Sequence, residues 1–273
     1  MEILLQLYEH KVLTTDQLHE LHFSTLHRTR KRLSQLYERG LVDRFRPPQR
    51  PGSYPHHYVL DDLGAKLVAG YLGVDLKELK FRKDRLLRLS RSRFLRHLRE
   101  TNSFFSRLAH ACRQAGDGTQ LTLWLGERRA TMAGIRPDGM GSVRHRWGST
   151  SFWLELDLGT ETHDRLERKV HGFARHMFSP EEAPHAVLFC FPSQEREARA
   201  RRALYEPEGL LVATTTLDRH GADPLGAVWL PLKAGHRLSL VDLPVPERGE
   251  LSTLYTKRSL VPHEDAYDPV GWW

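Results

Sequence analysis

Apolar positions set the first part of the chain into three short helices. Ile3, Leu4 and Leu7 fall on one helical face. Leu18 and Leu21 mark a second short helix, with Thr14 or Thr15 as its expected N-cap. The run STLHRTRKRLSQLYERG predicts a third, with Ser24 as N-cap, Leu26, Leu33 and Leu36 as the inward stripe and Gly40 as the stop. Its other face carries His27, Arg28, Thr29, Arg30, Lys31 and Arg32. LVDRF and HYVLD then predict two short strands around the Pro/Gly-rich loop RPPQRPGSYPH, which holds Arg46 and Arg50. A further helix follows in LDDLGAKLVAGYLG.

Residues 73–116 keep a helical pattern, with no Pro or Gly between Val74 and Ala115. Leu86, Leu89, Phe94, Leu95 and Leu98 form the expected inward stripe of a basic helical connector that bridges two domains and extends along a nucleic-acid backbone. Phe104, Phe105 and Leu108 supply an inward face farther along, packing on the back domain. From Leu121 the period changes. LTLWL, SFWLELDLG, HAVLFCFP, GLLVATTT and GAVWLPL read as strands, with helices in TETHDRLERKVHGFARHMF and SQEREARARRALYEP. The alternation predicts an α/β domain with a mixed sheet over 117–241, within a chain that is α+β overall. An extended tail over 242–273 completes the chain, its Trp272 and Trp273 packing back on a domain.

Charge adds a partner to this outline. Residues 1–100 hold 20 Lys and Arg against 12 Asp and Glu; residues 101–273 hold 21 against 22. The whole net charge of +7 therefore belongs to the front, which suits a polyanion. Three helices with a basic third one match a helix-turn-helix, whose last helix enters the major groove of double-stranded DNA. Ser24, Thr25, His27, Arg28, Arg30, Lys31 and Arg32 are the expected contacts, with Arg46 and Arg50 on the phosphate backbone. A solvated basic face, or a face for protein contact, is the alternative. His19 and His22 have no further ligand nearby and read as a polar helix face. No apolar run approaches the roughly 18 residues of a membrane span. The N-terminus reads as a folded helix and not as a secretory signal, and the two cysteines sit apart. The expectation is a cytoplasmic protein.

The acids of the back domain carry the candidate chemistry. Glu155 and Asp157 lie two apart in SFWLELDLG and so share a strand face with Trp153. Two carboxylates on a largely apolar strand are costly unless paired or bound to a cation. Asp138, in RPDG, opens the next strand-like run, and a hairpin would bring it to Glu155. Asp138, Glu155 and Asp157 together suit Mg2+, which can activate water and neutralise charge growing on a phosphodiester. Lys169 would assist. Glu127 is a lesser further acid. The same acids could instead form salt bridges with Arg136, Arg144 or Lys169, and Asp138-Gly139 could be a turn. No GxxxxGK[ST] and no GxSxG occurs, and the adjacent His56 and His57 lack the spacing of a histidine-based relaxase.

Three resemblances follow from these residues. GLVDRF…YVLDDLGAKL resembles the wing and following helix of winged-helix DNA-binding domains, over roughly residues 2–72. RPDG followed by WLELD resembles the PD-(D/E)xK nuclease superfamily, with Asp138 and Glu155 as its acids and a restriction-endonuclease-like fold implied. Asp157 stands where that family has its Lys, and Lys169 on the neighbouring helix is the relocated candidate. The order of winged helix, HLRETN, RPDG, FWLELDLGTET and RKV resembles the replication-relaxation family of bacterial plasmid and mobile-element proteins, over most of residues 2–230. That resemblance implies a role in plasmid replication or DNA relaxation at the nucleoid or plasmid. The leading expectation is a DNA-binding protein with Mg2+-dependent phosphodiester cleavage. The alternative is a non-catalytic initiator or transcriptional regulator whose back domain binds DNA or forms a homodimer.

Overall fold

A computed structural model of the chain describes residues 1–47, 54–132, 134–159, 161–176, 184 and 186–244. Contacts divide it into one unit containing Met1–Ser106 and a second beginning at Arg107.

The first unit runs α1 (Glu2–His10), β1 (Leu13–Thr14), α2 (Thr15–His22), α3 (Leu26–Glu38), β2 (Val42–Phe45), β3 (His57–Leu60), α4 (Asp62–Leu72), α5 (Lys83–Arg88), a 3-10 turn (Leu89–Arg91) and α6 (Leu95–Ala115), which crosses into the second unit. β3 pairs antiparallel with both β1 and β2. The helix order and the hairpin are those expected from the sequence. Thr14 opens α2 with a capping box: its hydroxyl accepts the Gln17 amide at 3.2 Å, and Gln17 Oε1 accepts the Thr14 amide at 2.8 Å. The Gln17 side-chain amide then donates to Arg99 O and Ser103 Oγ, both at 2.8 Å, tying α2 to α6. Asn102 of α6 donates to the carbonyls of His10 at 3.3 Å and Val12 at 2.7 Å, on either side of Lys11 in its left-handed setting at φ 66°. The HLRETN stretch thus locks the α1–β1 turn.

α3 departs from expectation at its start. Thr25, not Ser24, is the N-cap, its hydroxyl accepting the Arg28 amide at 3.3 Å. Leu33 and Leu36 are buried, but Leu26 is exposed and Thr29 takes the inward place. The Thr29 hydroxyl donates to Thr25 O at 2.9 Å and meets His19 Nδ1 at 3.2 Å, so a buried polar group is satisfied within the helix pair.

The stretch 73–116 is not one helix. Ser92 interrupts it: its hydroxyl accepts the Phe94 amide and its carbonyl the Leu95 amide, a local alternative to helical bonding. Leu86, Leu89 and Leu95 pack with Val12 and Val59 in one core cluster, with Phe45, Phe81, Leu87 and Leu98 against it. Phe94, expected inward, is exposed. Lys83 bridges Asp61 at 2.7 Å and Asp43 at 3.0 Å, and Arg82 and Arg88 both pair with Asp84. Several cations expected along a nucleic-acid backbone are therefore internal ties of this unit.

The second unit continues with β4 (Gln120–Gly126), α7 (Glu127–Ala130), β5 (Gly139–His145), β6 (Gly148–Leu156), α8 (His163–His176), β7 (Ala186–Phe191), α9 (Gln194–Arg201), β8 (Leu211–Thr216), α10 (Leu217–Ala222), β9 (Leu230–Pro231) and a 3-10 turn (Leu240–Asp242). The expected mixed α/β fold is present: six strands in the order β4-β5-β6-β7-β8-β9. β5 pairs antiparallel with β4 and β6; β6, β7 and β8 are parallel; β9 returns antiparallel. AVLFCF of β7 is buried throughout, as an unbroken apolar run in a parallel strand requires. β9 is only two residues long, because Pro231 has no amide for a ladder. The expectations for Trp272 and Trp273 lie outside the described residues. No helix among the described residues is long and apolar enough to cross a membrane.

Candidate functional site

Two regions hold the residues singled out by sequence. On α3 and just before it, Ser24, Thr25, His27, Arg28, Arg30, Lys31 and Arg32 are all exposed. Among the described residues, Arg28, Arg30, Lys31 and Arg32 make no ion pair. The helical period brings them to one side because Thr29, Leu33 and Leu36 turn inward. Arg46 is exposed at the end of the β2 side of the hairpin, and Arg50 lies outside the described residues. At the base of the hairpin His57 is buried, stacked on Phe45 with centroids 5.4 Å apart, with Nδ1 bonded to Pro55 O at 2.9 Å. Burial pushes its pKa down to about 4; the Pro55 carbonyl opposes this, and the charges of Arg99 and His56 add to it.

The second region is built on the β5–β6 hairpin. The Asp138 amide donates to Leu154 O at 3.0 Å, and Asp138 Oδ2 accepts the Leu156 amide at 2.7 Å. Asp138 is thus fastened to the strand that carries Glu155. Glu155 is 2% exposed. α8 covers this face, with Trp153 against Phe173 at 4.9 Å. Gly172 lets α8 approach closely, since a Cβ there would meet Ile135 Cγ2 at 2.9 Å, three residues before Asp138. One turn earlier on α8, Lys169 Nζ reaches Glu155 Oε2 at 2.5 Å and Glu161 Oε1 at 2.8 Å. Lys169 and Glu155, both singled out in the sequence, are therefore in contact.

Among the described residues, Glu155 Oε1 is buried without a hydrogen-bond partner, and so is Glu161 Oε2. The buried acid Glu197 shows how this unit treats a purely internal carboxylate. Its Oε1 accepts from Thr214 at 2.7 Å and its Oε2 from Arg237 at 2.6 Å, leaving neither oxygen bare. Burial raises the Glu155 carboxyl to about 8; Lys169 pulls it back, while the negative charges of Asp138 and Glu161 push it up. Lys169 is held above its ordinary range: burial opposes its charge, but Glu155, Asp138 and Glu161 outweigh burial.

Asp157, expected as a third ligand beside Glu155, is engaged elsewhere. Its Oδ1 accepts the amides of Gly159 at 2.7 Å and Glu161 at 3.4 Å. Its Oδ2 accepts Nε and a terminal nitrogen of Arg196 at 2.8 and 2.5 Å. Arg196 also donates to Glu161 O at 2.5 Å. Asp157 lies one residue past the end of β6, its amide still bonded to Cys190 O at 3.0 Å, and its carboxylate is taken up by Arg196 and the loop that follows. Glu161 is the residue that strand reasoning missed. It lies in the loop before α8, where no strand or helical period marks it, and Arg165 Nε meets its Oε1 at 3.1 Å. Glu127 and Arg136 pair with each other at 2.5 Å.

No three His, Cys, Asp or Glu among the described residues are arranged to hold one metal ion. Two carboxylates suffice for Mg2+, which keeps waters and takes phosphate oxygens as its other ligands. Asp138 and Glu155 supply such a pair of hard oxygen donors, and the bare Glu155 oxygen fits a cation. The Replication-relaxation family matches residues 4–190 of the chain. No curated protein and no solved structure matches it.

Proposed function

Because the chain belongs to the replication-relaxation family, we propose that it binds duplex DNA through the α3 face and cleaves a phosphodiester at Asp138, Glu155 and Lys169. Family membership points to the replication or relaxation of plasmid and mobile-element DNA. α3 enters the major groove with Arg28, Arg30, Lys31 and Arg32, and Arg46 and Arg50 neutralise phosphates beside it in the manner of a winged helix. In the second unit Asp138 and Glu155 would hold a divalent cation. Bound there, Mg2+ would lower the pKa of water and offset charge on the phosphate.

The chain's own groups do the rest. Lys169 presents a fixed ammonium to the phosphate oxygens, where charge develops. Glu161 is a positioning residue: it is the second carboxylate that holds Lys169, at 2.8 Å. Asp157 and Arg196 set the loop that carries Glu161. The observation that carries this reading is the 2.5 Å contact of Lys169 with Glu155, whose second oxygen is buried and bare. A second reading draws on the double pairing of Lys169, which leaves its charge satisfied without any ligand. In that case the unit is the scaffold of a non-catalytic initiator or regulator.

The deciding experiment is cleavage of supercoiled, linear and branched DNA with Mg2+ or Mn2+. Wild type is compared with Asp138→Ala and Lys169→Ala. Cleavage by wild type, lost in both variants while DNA binding persists, is the expected result. Binding without cleavage, in either metal and on every substrate, would select the second reading. The α3 assignment is tested separately, by charge reversal at Arg28 and Lys31, which must weaken binding.

A further inference from the structure

We propose that the tip of the β5–β6 hairpin, Arg146 and Trp147, is a stacking contact for an unpaired or displaced base of bound DNA. The inference rests on the DNA-binding part of the reading above and not on cleavage.

Trp147 is 64% exposed, the most exposed of the large apolar side chains among the described residues. Trp153 and Trp229 of the same unit are fully buried. An indole in water forfeits the burial that ordinarily justifies so large a side chain. The hairpin is built to present it. His145 pairs with Gly148, which leaves Arg146 and Trp147 as a two-residue turn. Gly148 takes the positive φ of 135° at the exit, with nothing within 4 Å of where its Cβ would be. Neither Arg146 nor Trp147 has to adopt that setting.

The surroundings specify the partner. The Arg146 guanidinium lies 4.3 Å from the indole centroid, a cation–π contact that holds the ring and adds a positive charge beside it. Arg144 is exposed on the same strand, its guanidinium donating to Gln120 Oε1 at 2.7 Å. Asp117 lies within electrostatic reach of Arg146. An open aromatic face with flanking guanidinium groups matches a base and its phosphates. Stacking on aromatic side chains, assisted by Arg, is how proteins hold unpaired nucleotides without reading sequence. β5 rises about 24 Å over its length. Trp147 is therefore remote from Asp138 and Glu155, at the opposite end of the hairpin, and forms a second point of contact outside the chemical centre. DNA whose bases are opened, as replication and relaxation both require, offers such a base.

The test uses the full chain in EDTA, so that no cleavage intervenes. The probes are two fluorescein-labelled duplexes, one fully paired and one with a single unpaired base. Wild type should prefer the second. Trp147→Ala should bind it about 5- to 100-fold more weakly, the range set by one stacked base, and Trp147→Phe should keep most of the affinity. Equal circular dichroism and thermal unfolding of the variants would exclude loss of fold. Trp147→Ala binding both duplexes as wild type does would overturn the proposal. So would loss of self-association with DNA binding intact, since the tip would then be a protein contact. Failure of wild type to bind either duplex would overturn this proposal together with the DNA-binding reading. Absence of cleavage in every metal would remove the nuclease reading and leave the stacking result standing.

Discussion

The cations of α3 and the ammonium of Lys169 carry the same charge under opposite constraints. Arg28, Arg30, Lys31 and Arg32 stand in water with no ion pair among the described residues. Solvation costs them little, and nothing within the first unit needs them. Lys169 is mostly covered and touches two acids, one of which is 2% exposed. A charge taken out of water must be compensated by partners already in place. The contrast separates two kinds of functional residue. The exposed cations have no ion pair among the described residues, and their grouping on α3 suits a polyanion. The buried one is held by its partners, and beside it Glu155 and Glu161 each keep one oxygen without a hydrogen bond among the described residues.

The largest expected effect tests that contrast directly. Lys169→Met leaves Glu155 and Glu161 without their shared cation and should cost about 3–5 kcal/mol in urea unfolding. A loss under about 1 kcal/mol would show that the pair carries little energy. Next comes pH. The depressed pKa of His57 means the folded chain sheds a proton that the unfolded chain keeps between about 4 and 6.5. Stability from His57 is complete above about pH 6.5 and declines as pH falls toward 4, by at most about 1.4 kcal/mol per pH unit. Glu155 works in the opposite sense. Burial holds its folded carboxyl above the ordinary carboxylate range, so its contribution falls as pH rises. Unfolding midpoints measured across pH should lose the acid slope in His57→Leu and the neutral-to-alkaline slope in Glu155→Gln. Unchanged slopes would refute the assignments.

Smaller effects sharpen the description of α3. Thr25→Ala removes its N-cap and should cost about 1 kcal/mol, whereas Ser24→Ala should be silent; the reverse order would restore Ser24 as the cap. Replacing Arg28 and Lys31 together by Ala should change stability by less than about 0.5 kcal/mol. The same pair should lower the slope of log affinity against log salt by about 2, because two phosphate contacts release fewer counterions. A steep loss of stability, or an unchanged salt slope, would erase the difference between the two regions.

Much of this was legible in the chain. The strand-like runs LVDRF and HYVLD around a Pro/Gly loop announced a hairpin, and the unbroken AVLFCF announced a buried strand. RPDG followed by WLELD announced a hairpin that sets Asp138 beside the strand carrying Glu155, because antiparallel pairing of neighbouring strands depends on local turns and period. Other features were hidden for identifiable reasons. Leu26 looks inward by composition but sits in the first turn of α3, where Thr25 sets the entry and Thr29 takes the inner position. Phe94 belongs to an apolar period that Ser92 breaks, so its phase no longer predicts its direction. Asp157 shares the parity of Glu155, but its carboxylate is claimed by Arg196, which no local pattern places there. Glu161 lay in a loop, where no periodicity of strand or helix marks a residue as functional.

The sequence by itself determined the elements, the mixed fold and the basic face of α3, because helix and strand periods and exposed charge are properties of neighbours along the chain. It also determined which acids were available. Only the tertiary structure decided how they are used. Whether Lys169 reaches Glu155 depends on how closely α8 lies on the sheet, which the bare Cα of Gly172 permits. Whether Asp157 is a ligand or an anchor depends on Arg196, 39 residues later in the chain. Such contacts join residues far apart in sequence through packing, and an ionic group changes its meaning with the partner that packing brings to it.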